Sequence, residues 1–317
     1  MDEFSAILSS GVLPRLGEEV GLAGGIREWL KSGNFIPESD GNSSLVLSRV
    51  PTADYARAMA SDFERFSLSS LETYIVATSE NREFGAASWP FLKFYYSSFF
   101  AAHALLRARG SGVVNIERPQ SDYINTILTT YSKDAPRMAP GTYFLNYLSG
   151  ADLGSGEISV QLSPSPSKKG VHEAFWRIFA TYIVEEAERA IKEEAADATT
   201  FLSYATNLKE AVLDGGGEAS WLSMVRNKIN YQHGYETWMP FRKGSEAKVI
   251  STAAKTSPLT SPCLDIKKSK KPLEAFLNIS CYISNLNIGV SDRISKRSTG
   301  GKTFGQKWRR LNEQLKL

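Results

Sequence analysis

The stretch Ser88-Trp89-Pro90-Phe91-Leu92-Lys93-Phe94-Tyr95-Tyr96-Ser97-Ser98-Phe99-Phe100-Ala101-Ala102-His103-Ala104-Leu105-Leu106-Arg107-Ala108-Arg109-Gly110 decides the fold class. Ser88 suits an N-cap, Pro90 suits the first turn because its missing N–H has no intrahelical partner there, and Gly110 supplies a stop. Phe91, Phe94, Tyr95, Phe99 and Phe100 alternate with Ser97, Ser98, Ala101, Ala102 and Ala104. Small residues admit a neighbouring helix closely while rings fill the gaps between them. The spacing therefore predicts a helix buried on most sides, which needs other helices around it.

Working outward, Ala53 to about Ser79 reads as a helix with Leu68, Leu71, Ile75 and Val76 on its inner face. Ser44 to Val50 reads as a strand before it, and residues 1–32 as short helices broken by Gly11, Pro14 and Gly24-Gly25. Residues 111–170 are mixed and rich in proline and glycine, with Glu157 to Leu162 as a candidate strand. From Val171 to about Leu213 helical spacing returns through Phe175, Ile178, Phe179, Tyr182 and Ile183, and the acidic run Glu185 to Asp197 reads as a solvated face rather than a metal site. Gly215-Gly216-Gly217 precedes a short helix from about Glu218 to His233, and a further helix spans about Leu273 to Ile288. The sum is a mainly α fold, a helical bundle with irregular insertions and at most a small β element.

A chain of 317 residues with 42% hydrophobic and 22% charged side chains has ordinary globular usage and can bury a sizeable core. Two cysteines, Cys263 and Cys281, are too few for a disulfide framework. Met1-Asp2-Glu3-Phe4-Ser5 shows no basic stretch before an apolar one, and no run reaches the roughly 18 apolar residues a membrane span needs. A cytoplasmic protein without membrane contact is expected. The net charge of +3 is uneven: residues 245–317 hold 14 Lys/Arg against 5 Asp/Glu, a local +9 that leaves the first 244 residues at −6. Such a basic end can neutralise phosphates, or it can be a plain solvated surface. Gly300-Gly301-Lys302-Thr303 lacks both the earlier glycine and the preceding strand of a phosphate-binding loop, and no serine-hydrolase or zinc-protease motif is present. His103, His172 and His233 are too scattered to propose a metal cluster, and no cofactor is expected. His103 on the crowded helix reads as a core histidine.

The segment with chemistry to offer is Ser220-Trp221-Leu222-Ser223-Met224-Val225-Arg226-Asn227-Lys228-Ile229-Asn230-Tyr231-Gln232-His233-Gly234. With Arg226 at 0° on a helical wheel, Asn230 falls at about 40°, Ser223 at about 60° and His233 at about −20°. Trp221, Met224, Val225 and Ile229 fall at about 160° to 300°, so the apolar face is expected to anchor the helix with the polar stripe turned away. Arg226 and His233 would stand two turns apart, roughly 10 Å along the axis. A planar, permanently charged guanidinium suits a phosphate, and a histidine can give or take the proton that phosphodiester cleavage requires. His233 in the last turn would have its imidazolium favoured by the helix dipole. By spacing alone, a surface ion pair and a capping histidine explain the same residues.

The wording Arg226-Asn227-Lys228-Ile229-Asn230-Tyr231-Gln232-His233 resembles the HEPN superfamily motif, an arginine, a polar residue and a histidine after a spacer, here of six residues. The helix Phe94 to Arg107 is similar to the aromatic, alanine-rich helix that precedes the motif in many members. The resemblance covers about 35 residues directly. It implies a HEPN-like core over 85–240 with an insertion, an N-terminal helical region of unknown role over 1–84 and a basic C-terminal extension over 241–317. It further implies a homodimeric, metal-independent endoribonuclease of toxin or anti-phage defence type, in which two motifs form one site. Carried over by position, Arg226 would hold the scissile phosphate, His233 would transfer a proton and Asn227 would orient the pair or contact RNA, with Asn230, Tyr231 and Lys228 as RNA contacts. The RNA 2′-OH would attack its own phosphate. A regulatory or antitoxin protein is a further expected partner. The alternative is a HEPN-like module that binds nucleic acid or protein without catalysis.

Overall fold

The computed structural model of the chain describes residues 2–10, 24–39, 44–79, 87–131, 137–148, 156–165, 170–213, 220–238, 271–297 and 304–313. In chain order these form α1 (Asp2–Ser9), α2 (Ile26–Ser32), β1 (Ile36–Ser39), β2 (Leu45–Pro51), α3 (Thr52–Ser79), α4 (Ser88–Ala108), β3 (Gly112–Ile116), α5 (Arg118–Tyr131), β4 (Gly141–Tyr147), β5 (Glu157–Pro164), α6 (Val171–Lys192), α7 (Ala198–Val212) and α8 (Trp221–Tyr231). A short 3₁₀ turn (Gly234–Glu236), α9 (Pro272–Arg297) and α10 (Phe304–Glu313) follow.

The aromatic and small residues of α4 pack as their alternation predicts. Ser97 Oγ donates to the Ser70 carbonyl at 2.9 Å and lies 2.9 Å from Ser284 Oγ, so α3, α4 and α9 meet where side chains are smallest. The rings of Phe91, Phe94 and Tyr95 are fully buried around this junction. Burying a large apolar side chain contributes about 1.5–3 kcal/mol, and α4 holds several of them. α9 falls within the stretch expected as a basic extension, and it is buried along most of its length against α1, α3 and α4.

The expected helical bundle with at most a small β element is corrected by a five-stranded antiparallel sheet in the order β1-β2-β5-β4-β3, which makes the fold mixed α/β. The sheet shares one continuous apolar core with the helices. Its strands alternate: Tyr143, Leu145 and Tyr147 of β4 and Ile158, Val160 and Leu162 of β5 are buried, while Phe144 is only half-buried. One buried face leaves Asn146, Gln161 and Ser163 between the apolar positions, and together with Pro140 and Gly141 they give the stretch the composition of a loop. The helix expected from Val171 to about Leu213 divides at 193–197, where Glu194 and Asp197 take left-handed backbone angles (φ 53° and 59°). Within the acidic run read as a solvated face, Glu186 is instead fully buried.

No helix among the described residues is long and apolar enough to cross a membrane. Cys263, the triple glycine at 215–217 and the glycine-lysine run at 300–303 lie outside the described residues.

Candidate anion site around Arg226

α8 starts where Ser220 caps it, its Oγ accepting from the Ser223 backbone N–H at 3.3 Å. Such a cap answers one of the four amides that a helix start leaves open. The buried face of α8 is Leu222, Val225, Arg226 and Ile229, a stripe at i, i+3, i+4 and i+7, with Ser223 buried beside it. This corrects the expected wheel. Arg226 lies within the packing stripe rather than opposite it, and Met224, placed on the anchoring face, is 38% exposed.

Arg226 is only 9% exposed, and α8 delivers it to the side of α4. Its Nη2 donates a short hydrogen bond to the Tyr96 hydroxyl, and its Nη1 donates to Asn227 Oδ1 at 2.9 Å and to the Tyr231 hydroxyl at 3.4 Å. The guanidinium carbon sits 5.6 Å from the Tyr96 ring centroid and 5.2 Å from that of Tyr231, close enough for cation–π attraction. Its Nε is buried without a hydrogen-bond partner, and no carboxylate among the described residues pairs with it. Burial opposes the charge, but the hydrogen bonds and charge interactions with Tyr96 and Tyr231 outweigh it, so the group is held above its ordinary range.

The sequence-expected residues are thus partly gathered. Asn227 and Tyr231 contact Arg226 directly, with Tyr231 67% exposed, whereas Lys228 and Asn230 are half-buried and take no part in the guanidinium's hydrogen bonds. His233 is not in the last turn of the helix: α8 ends at Tyr231 with Gln232 as its C-cap, and His233 follows in the left-handed region (φ 50°, ψ 29°), exposed to solvent. The dipole argument for its imidazolium therefore lapses. The physical cause is a fold-back over the helix end. Trp238 Nε1 donates to the Ile229 carbonyl at 2.5 Å, answering one of the carbonyls the last turn leaves open. A Cβ on Gly234 would stand 3.1 Å from the Lys228 carbonyl oxygen, so a glycine lets the chain pass that close. Tyr235 and Glu236 also take positive φ, 62° and 57°, giving with His233 three non-glycine residues in a conformation that costs energy and gathers at functional turns. The turn is tied to α4 by the Ser88 N–H donating to the Thr237 carbonyl at 3.2 Å and by the Trp89 and Trp238 rings at 5.2 Å.

Two groups beside Arg226 escaped the sequence reading. Trp176 Nε1 donates to the Tyr95 hydroxyl at 3.0 Å, and the same hydroxyl lies 3.0 Å from His172 Nδ1. The imidazole is held against Phe99 at 4.4 Å between ring centroids, with Tyr96 at 6.1 Å. Burial and the charge of Arg226 push His172 down to about 4, so it is neutral near pH 7. Burial pushes the Tyr95 hydroxyl up to about 12, so it keeps its proton. His103 is the core histidine expected, stacked between Phe66 at 4.6 Å and Phe175 at 3.9 Å, with Nδ1 unpartnered and its pKa pushed far down by burial. No group of three or more His, Cys, Asp or Glu side chains that could hold a metal ion is present among the described residues.

What this arrangement offers is a surplus of donors. The phenols of Tyr96 and Tyr231 accept from the guanidinium and keep their own hydrogens, and Arg226 Nε–H has no acceptor. An anion rich in oxygen acceptors answers such a surplus. Compared with protein-family models, curated proteins and solved structures, the chain has no match.

Proposed function

We propose that the chain is a metal-independent endoribonuclease of HEPN type, in which Arg226 holds the scissile phosphate and His233 transfers a proton. The observation that carries this reading is a guanidinium nine-tenths buried with no carboxylate among the described residues beside it. A buried charge without a counter-charge is costly, and a phosphate supplied by substrate removes that cost. Attack by the ribose 2′-oxygen forms its bond to phosphorus as the bond to the 5′-oxygen breaks. The 2′-proton passes to a base and the 5′-oxygen receives one, leaving a 2′,3′-cyclic end. One His233 accepts the first proton and the His233 of a second copy donates the other, which calls for a homodimer. Asn227 fixes the guanidinium from one side, and Tyr231, beside it and largely exposed, offers a ring on which a base can stack. Lys228 and Asn230 serve as outer RNA contacts. Action in the cytoplasm as a toxin or defence effector, restrained by a regulatory partner, completes the reading.

The test is cleavage of labelled RNA by the purified full chain, with DNA of the same sequence as control. Arg226→Ala and His233→Ala are each expected to lower the rate by about 10²-fold or more. Undiminished cleavage by both variants would falsify the proposal.

One observation favours a second reading. His233 lies outside the helix and makes no hydrogen bond to Arg226 or its phenols, as suits a HEPN-like module that binds nucleic acid or protein without cutting. Salt-sensitive RNA binding with intact product would support it.

A further inference from the structure

The sequence motif ends with His233, yet the histidine built into the surroundings of Arg226 is His172. It is the second residue of α6, a helix of 22 residues whose N-cap, Gly170, has no side chain to answer the first backbone amides. Because Tyr95 oxygen already accepts from Trp176 Nε1, its own hydrogen is available to His172 Nδ1. With Nδ1 accepting that hydrogen, the remaining ring hydrogen sits on Nε2, which has no protein partner among the described residues, and His172 is half-buried. The imidazole is clamped by Phe99, Tyr95 and Tyr96, and Tyr96 is also the phenol that receives the Arg226 hydrogen bond. Tyr96 thus neighbours both the imidazole and the guanidinium. Glu173, the carboxylate of this turn, follows His172 about 100° around the helix, with its Oε1 buried.

We propose that a single subunit carries a phosphate site in which Arg226, the Tyr96 hydroxyl and His172 Nε2–H converge as donors on one phosphate group at the first turn of α6. The inference rests on the reading of Arg226 as a phosphate ligand and adds that the anion is held within one chain, before any second copy or His233 is involved. A neutral imidazole is the right form for the task. It donates through Nε2 without placing a second full positive charge beside Arg226, and the amides at the start of α6 add the partial positive charge that favours anions there. The guanidinium supplies the charge, and the phenol and imidazole supply direction. The ligand class is a phosphodiester or phosphate monoester, whose several acceptor oxygens take donors from different directions.

The test uses the full chain and inorganic phosphate at pH 7, with affinity from calorimetry and the His172 Nε2 resonance followed by NMR. Wild-type protein is expected to bind phosphate saturably, with the His172 Nε2 signal moving in step. Arg226→Ala and His172→Ala each weaken binding by about tenfold or more, as loss of a charge-assisted hydrogen bond does. His172→Gln keeps an N–H donor and stays within about threefold of wild type. The inference is overturned if phosphate does not bind, if His172→Ala binds as wild type does, or if the His172 signal stays still at saturation. Phosphate binding that depends on His172 in a protein that leaves RNA intact sinks the nuclease reading alone. RNA cleavage with phosphate affinity indifferent to His172 sinks this inference alone.

Discussion

α4 carries buried arginines at one end and borders another near its middle, and the two regions treat the same side chain in opposite ways. At the C-terminal end, Arg107 is 2% exposed and meets Asp62 at 3.2 Å, while Arg109 is 7% exposed and meets Glu186 at 2.6 Å. The spare donors of Arg107 go to the carbonyls of Ser111 and Val113, at 3.3 and 3.0 Å. Each charge there is opposed and most of its hydrogens are used. Beside Tyr96, Arg226 is buried almost as deeply with phenols and one amide as its partners and Nε left over. The first region closes its own electrostatics and so holds the fold together. The second leaves a charge open, which makes sense if its counter-ion arrives from outside.

The comparison breaks most sharply at Glu186. Removing that carboxylate takes the partner from Arg189, 3.0 Å away, and leaves Arg109 buried and unopposed, so Glu186→Ala is expected to cost about 3–5 kcal/mol of stability, read from denaturant midpoints. A loss under about 1 kcal/mol would mean that the paired region is not the structural one. Glu186 stands about 20 Å along α6 from His172, so any remaining folded protein should bind phosphate as wild type does.

Acid sharpens the contrast by a smaller amount. His172 is pushed down to about 4 and His103 far below its ordinary value, in both cases chiefly by burial. Each binds its proton more readily when unfolded, so stability is complete above about pH 6.5 and declines as pH falls from there toward the folded-state values. His172→Gln removes one of the two titrating groups, and melting temperatures taken between pH 7 and pH 5 should fall less steeply for the variant. Parallel curves would remove His172 from the balance.

The smallest effect is expected at Lys228, half-buried on α8 and outside the guanidinium's hydrogen bonds. As a plain phosphate contact, Lys228→Ala should weaken RNA binding evenly across sequences and lower the slope of log affinity against log salt by about 1. An unchanged slope would show that Lys228 faces no phosphate.

How much of this was legible in the sequence differs by region. α4 announced itself, because rings alternating with serine and alanine have one physical use, close packing among helices, and Ser97 between Ser70 and Ser284 realises it. The sheet did not, because β4 and β5 bury alternate residues and show polar ones between, in segments punctuated by proline and glycine. At the site, Arg226, Asn227 and Tyr231 were found because helix geometry relates residues a few positions apart. Tyr96 stands 130 positions from Arg226, and Tyr95 stands 77 from His172, and no periodicity reaches across such intervals. The helical spacing carries α8 two residues too far, to His233, because the chain leaves the helix after Tyr231, where the indole of Trp238 takes the Ile229 carbonyl.

The most direct test of the central contrast is Arg226→Met, which removes the charge and keeps most of the apolar stem. If Arg226 is an open charge kept for a phosphate, the variant should be as stable as wild type to within about 1 kcal/mol, or more stable, while RNA cleavage falls by about 10²-fold. A variant that loses several kcal/mol of stability and still cuts RNA at the wild-type rate would contradict the account, for Arg226 would then be one more structural arginine.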